Sequence, residues 1–172
     1  MSVSRFRSVR EIAGTGASSR LARRRARPVV ERSTFVIVSL GGERMAIAVE
    51  SVERVVRPFS SLPVMLYDGR QLPYADLARP LGRTLRFGEG DQRRVLVVRD
   101  GARDGERRWA VPVDAVHEVM AVETALVLPL AADAPDVGCE GVQAHFERHG
   151  QTVLVLDAVR ILTRHFAARA RT

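Results

Sequence analysis

An all-β body assembled by internal duplication, closed by one C-terminal helix, is the fold class this sequence predicts, and three observations carry it. Residues 44 to 57 recur 64 positions later, in degenerate form, as residues 108 to 121. Both copies keep an alternating run (Ala46-Ile47-Ala48-Val49 against Ala110-Val111-Pro112-Val113), then an acid, then Val-x-x-Val: Glu50, Val52 and Val55 match Asp114, Val116 and Val119. A second echo, offset by 81, matches Gly69, Asp76 and Arg79 to Gly150, Asp157 and Arg160. The rest of the chain consists of short apolar runs punctuated by Gly, Pro and Asp-Gly, the pattern of a barrel-like β protein. Each repeat is too small to bury its own apolar face, so two must pack around a shared core.

The ordered body opens at Ser33. Thr34 to Leu40 alternates as a strand, Gly41-Gly42 supplies a turn, and Glu43 to Val49 returns as its hairpin partner. Val at 49, 52, 55 and 56 has helical spacing, which predicts a connector of about two helical turns ending before Pro58. Leu72 to Ala75 reads as a strand, and Asp76 as the cap of a turn that runs through Leu81 and stops at Gly82. Val95 to Val98 and Trp109 to Val113 form a second hairpin across two Asp-Gly turns. Leu126 to Ala134 is broken by Pro129 and favours an extended crossing segment. Val142 to Phe146 and Thr152 to Leu156 make a third hairpin around His149-Gly150. Asp157 then opens a helix with Val159, Leu162 and Phe166 on one face, and Arg164, Arg169 and Arg171 suit the negative end of its dipole.

Length and composition set the remaining bounds. With 172 residues and 46% hydrophobic content the chain can bury a core without covalent staples. The single Cys139 has no partner within the chain, which points to a reducing compartment and a buried thiol. The net charge of +7 is concentrated in residues 1 to 32, which hold nine Arg and two Glu, while residues 33 to 172 hold 18 Arg and 18 acids. The first segment is expected to be a disordered Arg-rich tail and the second the folded domain. No run approaches the roughly 18 to 20 apolar residues of a membrane span, so the expected location is cytoplasmic.

Tests for chemistry return little. No nucleophile elbow, phosphate-binding loop or dinucleotide fingerprint occurs, and no catalytic residue is assigned. His145 and His149 have the spacing of a helical metal pair, but on a strand four residues span about 13 Å, too far for one ion, so no metal or other cofactor is expected. His117 and His165 read as surface or boundary histidines. Asp76 and Asp157 each follow a strand and open a helical turn, which makes them caps and not a paired-carboxylate site. Arg20, Arg23, Arg24, Arg25 and Arg27 could touch nucleic acid or another anionic surface, yet Phe6 is the sole aromatic before Phe35 and base stacking is scarcely available.

The body resembles the CheW-like domain of chemotaxis coupling proteins. The matching residues are Phe35-x-x-x-x-Leu40-Gly41, Ala46-Ile47-x-Val49-x-x-Val52, Leu62-Pro63, Gly69-x-x-x-Pro73-x-x-Asp76-Leu77-x-x-x-Leu81-Gly82, Val97-Val98, Val113-Asp114-x-Val116-x-Glu118-Val119, and Gly141-Val142 through Leu156-Asp157-x-x-x-x-Leu162. The resemblance spans about Thr34 to Leu162. It implies two five-stranded barrels of SH3-like type around a common core, and a scaffold without a catalytic centre. The implied partners are a chemoreceptor cytoplasmic tip and a CheA-type histidine kinase. The implied protein-interaction residues are Val52, Arg54, Val55, Val56, Asp68 and Glu118.

Two departures from the family pattern stand out. Arg54 occupies a position the family gives to glutamate, and Asp68 one it gives to arginine, so an ion pair of inverted polarity between them is expected. Between Pro63 and Asp68 only Val64-Met65-Leu66-Tyr67 remain, a shortened segment that bears on receptor and kinase contacts. Two functions follow as alternatives: a coupling adaptor, or a nucleic-acid-associated protein that uses the basic arm and keeps the barrel body as an interaction module.

Overall fold

The computed structural model describes residues 29–57, 64–86, 94–101, 107–130 and 141–169, with side chains of the final helix described through 165. Eleven strands and one α-helix are found among the described residues. They are β1 (Arg32–Leu40), β2 (Glu43–Ala48), β3 (Val52–Val56), β4 (Val64–Tyr67), β5 (Arg70–Pro73), β6 (Arg94–Arg99), β7 (Arg108–Val113), β8 (Ala115–Glu123), β9 (Leu128–Pro129), β10 (Val142–Arg148), β11 (Gln151–Leu156) and α1 (Ala158–Arg169).

The strands fall into two bodies. One is a sheet in the order β8-β1-β2-β11-β10-β9. The other joins β3-β6-β7 to the β4-β5 hairpin through a parallel bridge between Tyr74 and Ala110. Setting the two-residue β9 aside, each body has five strands, the number the family resemblance implies.

The duplication is visible in the pairing itself. Tyr74 and Ala110 bridge in parallel in the second body; their echoes, Val155 by the offset of 81 and Ala46 by that of 64, pair in parallel in the first. Two hairpin turns repeat as well: Asp68 (φ 49) with Gly69 (φ 69), and His149 (φ 48) with Gly150 (φ 71). Positive φ at both central residues gives a tight turn whose twist matches that of the flanking strands.

A repeat is not a barrel, however. Each body takes its first two strands from one repeat and three from the other: β1 and β2 pack with β8, β10 and β11, whereas β6 and β7 pack with β3, β4 and β5. The chain crosses between bodies twice, through the short 3-10 turn Val49–Ser51 and through the single residue Asp114. Strand exchange of this kind makes the two bodies inseparable, because each contains strands from both halves of the sequence.

Three apolar clusters follow from strand alternation. Phe35, Ile37, Ala46, Val122, Ala144, Phe146, Val153 and Val155 fill the first barrel, with the Phe35 and Phe146 rings stacked at 5.7 Å. Met65, Leu72, Val95, Val97 and Ala110 fill the second. Between them lies the largest cluster, drawn from β1, β2, β6, β7, the 75–81 turn and α1, and including Leu40, Ile47, Leu96, Trp109 and Leu162. This is the shared core that the duplication requires.

Both capping aspartates act as expected. Asp76 Oδ1 accepts from the amides of Ala78 (2.8 Å) and Arg79 (3.2 Å), and Gly82 ends the turn at φ 68. Asp157 Oδ1 accepts from the amide of Arg160 at 2.9 Å at the start of α1. The helix then docks over Gly141, whose φ of 111 and missing Cβ leave room for Ile161; a Cβ there would collide with that side chain.

One expectation fails. Residues 50–56 do not form a two-turn helix: the 3-10 turn Val49–Ser51 is followed by β3. The reason is a β-bulge. Val52 pairs with Val98 and Arg54 with Val97, which leaves Glu53 unpaired and displaces the alternation by one residue. Val52 and Val55 therefore share a face although they are three apart. The same bulge recurs at His117, between Val116 opposite Val38 and Glu118 opposite Ile37. The Val-x-x-Val spacing of both repeats is thus the mark of a bulged strand, not of a helix.

Candidate functional site

The two bulged strands, β3 and β8, each lie at one end of their sheet and close the barrel through side chains. In the first barrel Glu118 on β8 meets Arg148 on β10 in a two-point ion pair, with Arg148 Nη1 2.5 Å from Oε1 and Nη2 2.8 Å from Oε2. Arg148 also lies 2.9 Å from Met120 Sδ. The Arg148 guanidinium holds the Glu118 carboxyl below its ordinary value of 4.5, chiefly by hydrogen bonding; desolvation opposes this, and the charges of Arg148, Arg44 and His117 add to the lowering. His117, displaced outward by the bulge, bonds Ser39 Oγ at 2.7 Å.

The second barrel closes with different chemistry at the equivalent positions. Arg54 stands where the other repeat has Glu118, and Tyr67 stands where it has Arg148. The Arg54 guanidinium lies over the Tyr67 ring, 6.0 Å from its centroid, a cation–π arrangement. The acid has moved to the bulged position: Glu53 Oε2 is 2.8 Å from Arg108 Nε, close enough for an ion pair though poorly aligned for a hydrogen bond. Glu53 Oε1 accepts a long bond from the Tyr67 hydroxyl at 3.4 Å.

The expected Arg54–Asp68 ion pair is therefore not formed. Asp68 occupies the first central position of the β4-β5 turn and is exposed, while its neighbour Tyr67 faces Arg54. The remaining site residues divide. Val55 is 40% exposed, and Val52 and Val56 are half-buried against the shared core and the second barrel's interior respectively. Glu118 is half-buried in its ion pair. Arg20, Arg23, Arg24, Arg25 and Arg27 lie outside the described residues, as do Cys139 and the side chain of Phe166.

Sequence reasoning missed four residues that shape these surfaces. Tyr67 and Arg148 were within reach, since applying both offsets together pairs Arg54–Tyr67 with Glu118–Arg148. Leu66 (74% exposed) and Val119 (61% exposed) complete the exposed apolar positions beside the two closures. Val119 is the echo of Val55, so each barrel presents an exposed valine at the same place on its bulged strand.

Asp114, at the second crossing, is buried and holds two other segments. Its Oδ2 accepts from the Gly42 amide at 3.0 Å, its Oδ1 from the Arg86 amide at 2.5 Å, and its own amide donates to Ser39 O at 3.0 Å. Nearby, an open groove of about 580 Å³ is lined by Gly42, Glu43, Arg44, Arg83, Gln151, Thr152 and Leu154, with Arg83 ion-paired to Glu43. Among the described residues no group of three or more His, Cys, Asp or Glu is placed to hold a metal ion. No described helix is long and apolar enough to cross a membrane.

Two strand-exchanged bodies around one core, each with an exposed valine on its bulged strand, define the fold class of this module. The CheW-like domain model matches residues 34–166, and the chain belongs to that family; its role is that of a chemotaxis scaffold or adaptor. Among solved structures it resembles the scaffolding protein TtCheW from Thermoanaerobacter tengcongensis, with a TM-score of 0.62 and 20% identity over 74% of this chain and 86% of that one, a likeness of fold. No curated protein matches it in sequence.

Proposed function

We propose that the protein is a non-catalytic, cytoplasmic adaptor that couples the cytoplasmic tip of a chemoreceptor to a CheA-type histidine kinase. The observation that carries this reading is the pair of equivalent surfaces. Strand exchange fixes two barrels rigidly around one core, and each leaves its bulged strand with an exposed valine, Val55 or Val119, beside a polar closure. A scaffold needs two faces held at a constant separation, and a shared core supplies that better than two linked domains would. Isolated exposed valines are ordinary, but the same one at the same place in two repeats is a retained feature of the design.

The test is reconstitution with the receptor and kinase of the same organism. Membranes carrying the receptor should retain the kinase only when this protein is added, and kinase activity should then respond to receptor ligand. If the protein sediments with neither partner, the coupling role falls.

A further inference from the structure

We infer that Met120 is a peroxide-sensitive modification site, and that its sulfoxide draws Arg148 away from Glu118 at the seam of the first barrel. The inference stands on the chemistry of the seam and does not depend on which partners the protein couples.

The seam brings three groups to one point. Arg148 Nη1 lies 2.9 Å from Met120 Sδ and 2.5 Å from Glu118 Oε1, while Nη2 reaches Glu118 Oε2 at 2.8 Å. A thioether is a weak acceptor and a carboxylate a strong one, so in the reduced protein the guanidinium belongs to Glu118. Access to the sulfur differs among the methionines of the described residues. Met45 is buried in the shared core and Met65 in the second barrel. Met120 is half-buried, packed partly against the first barrel's apolar cluster, on the strand at one end of its sheet.

The step is a two-electron oxygen transfer from a peroxide. A sulfur lone pair attacks one oxygen of hydrogen peroxide, and the O–O bond breaks as the S–O bond forms. The departing hydroxide then takes the proton from the newly bound oxygen, so the thioether is oxidised to a sulfoxide and the peroxide is reduced to water. The product sets a strong, dipolar acceptor where a weak one stood, in a partly dry site where a polar oxygen without a donor is costly. Arg148 is the donor already in contact. Its Nη1 serves both the sulfur and Glu118 Oε1, so a bond to the sulfoxide oxygen forms at the expense of one of the two points that hold Glu118. The second closure has no counterpart to this chemistry, because the echo of Met120 at the offset of 64 is Val56.

The experiment treats the full chain with hydrogen peroxide, locates the added oxygen by peptide mass spectrometry, and follows the Glu118 carboxyl by NMR before and after. Met120 should gain one oxygen ahead of Met45 and Met65, and the Glu118 titration should then rise toward its ordinary 4.5. Methionine sulfoxide reductases acting on both epimers should reverse the two changes together. Met120→Leu keeps the packing volume and removes the sulfur, and in it peroxide should leave the Glu118 titration where it was. In Arg148→Gln, peroxide should still oxidise Met120 but move Glu118 no further. Circular dichroism confirms that each variant, and the oxidised chain, keeps its fold. Oxidation of Met120 no faster than that of Met65 would overturn the site. A Glu118 titration that stays in place once Met120 is oxidised, or that moves equally in Met120→Leu, would overturn its coupling to the ion pair.

Discussion

The two crossings between the barrels do the same topological work with different chemistry. At the first, Val49–Ser51 make a 3-10 turn and Glu50 points into solvent. At the second, one residue suffices, and Asp114, the echo of Glu50, is buried with its carboxylate fastened to the Gly41-Gly42 turn and to the backbone amide of Arg86. Both crossings then enter a bulged strand, at Glu53 and at His117. Duplication thus preserved backbone geometry, which packing dictates, while the side chains at the junctions diverged into a structural clamp in one copy and a solvated turn in the other.

Interior packing offers the sharpest way to break that comparison. Phe146 and Met65 are echoes at the offset of 81, and each points into its own barrel. Phe146 is only 2% exposed and stacks on Phe35, so Phe146→Ala should cost about 3–5 kcal/mol by loss of transfer free energy and creation of a cavity. Met65, on the β4 strand at the sheet's end, is 9% exposed and should cost about 2–3 kcal/mol when changed to Ala. Urea unfolding followed by two probes gives both values. Because strand exchange couples the barrels, each variant should still unfold in one transition; separate transitions would show that the bodies are independent.

The crossings themselves come next in size. Asp114→Ala strips two amides of a charged acceptor in a buried place, and should destabilise by about 1.5–3 kcal/mol. Glu50→Ala, at the exposed echo, should change stability by no more than about 0.5 kcal/mol. Equal effects at the two positions would mean that the Asp114 bonds contribute nothing beyond a solvated turn.

How much of this was legible in the sequence depends on the range of the interaction. The hairpins, the Gly41-Gly42 turn and both aspartate caps are local, and the residues state them directly; the Asp-Gly pair at 104 and 105 lies outside the described residues. The offsets reveal the duplication because Val52 and Val55 pair with β6 in the same bulged pattern by which Val116 and Val119 pair with β1. The helix expected at 50–56 was a misreading of that spacing: a bulge in a strand and a turn of helix both put residues three apart on one face, and only the pairing with β6 separates them. The exchange of strands was out of reach for the same reason, since the parallel contact of β2 with β11 joins residues more than a hundred positions apart. The partner of Arg54 was displaced by a single residue. Counting back from Asp76 reaches Asp68, but a tight turn needs that residue for its φ, and the strand direction aims Tyr67 at the guanidinium instead.

The smallest effect separates the two barrel closures by pH. Glu118 is held below its ordinary value of 4.5 by Arg148, so its contribution is fully present above that value and is lost as the pH falls through the lower, folded one. The unfolded chain takes up the proton first, which means acid progressively removes the stabilisation that the pair supplies. The Arg54–Tyr67 contact itself involves no carboxylate, and it should persist in acid. Glu118→Gln should therefore flatten the acid limb of the stability profile below pH 4.5, while Tyr67→Leu should lower the whole profile without changing its slope in that region. Carbon-detected NMR of the Glu118 carboxyl gives an independent reading: it should titrate below its ordinary 4.5, and Arg148→Gln should bring it back. A Glu118 carboxyl that titrates at its ordinary 4.5 would remove the electrostatic distinction between the two closures.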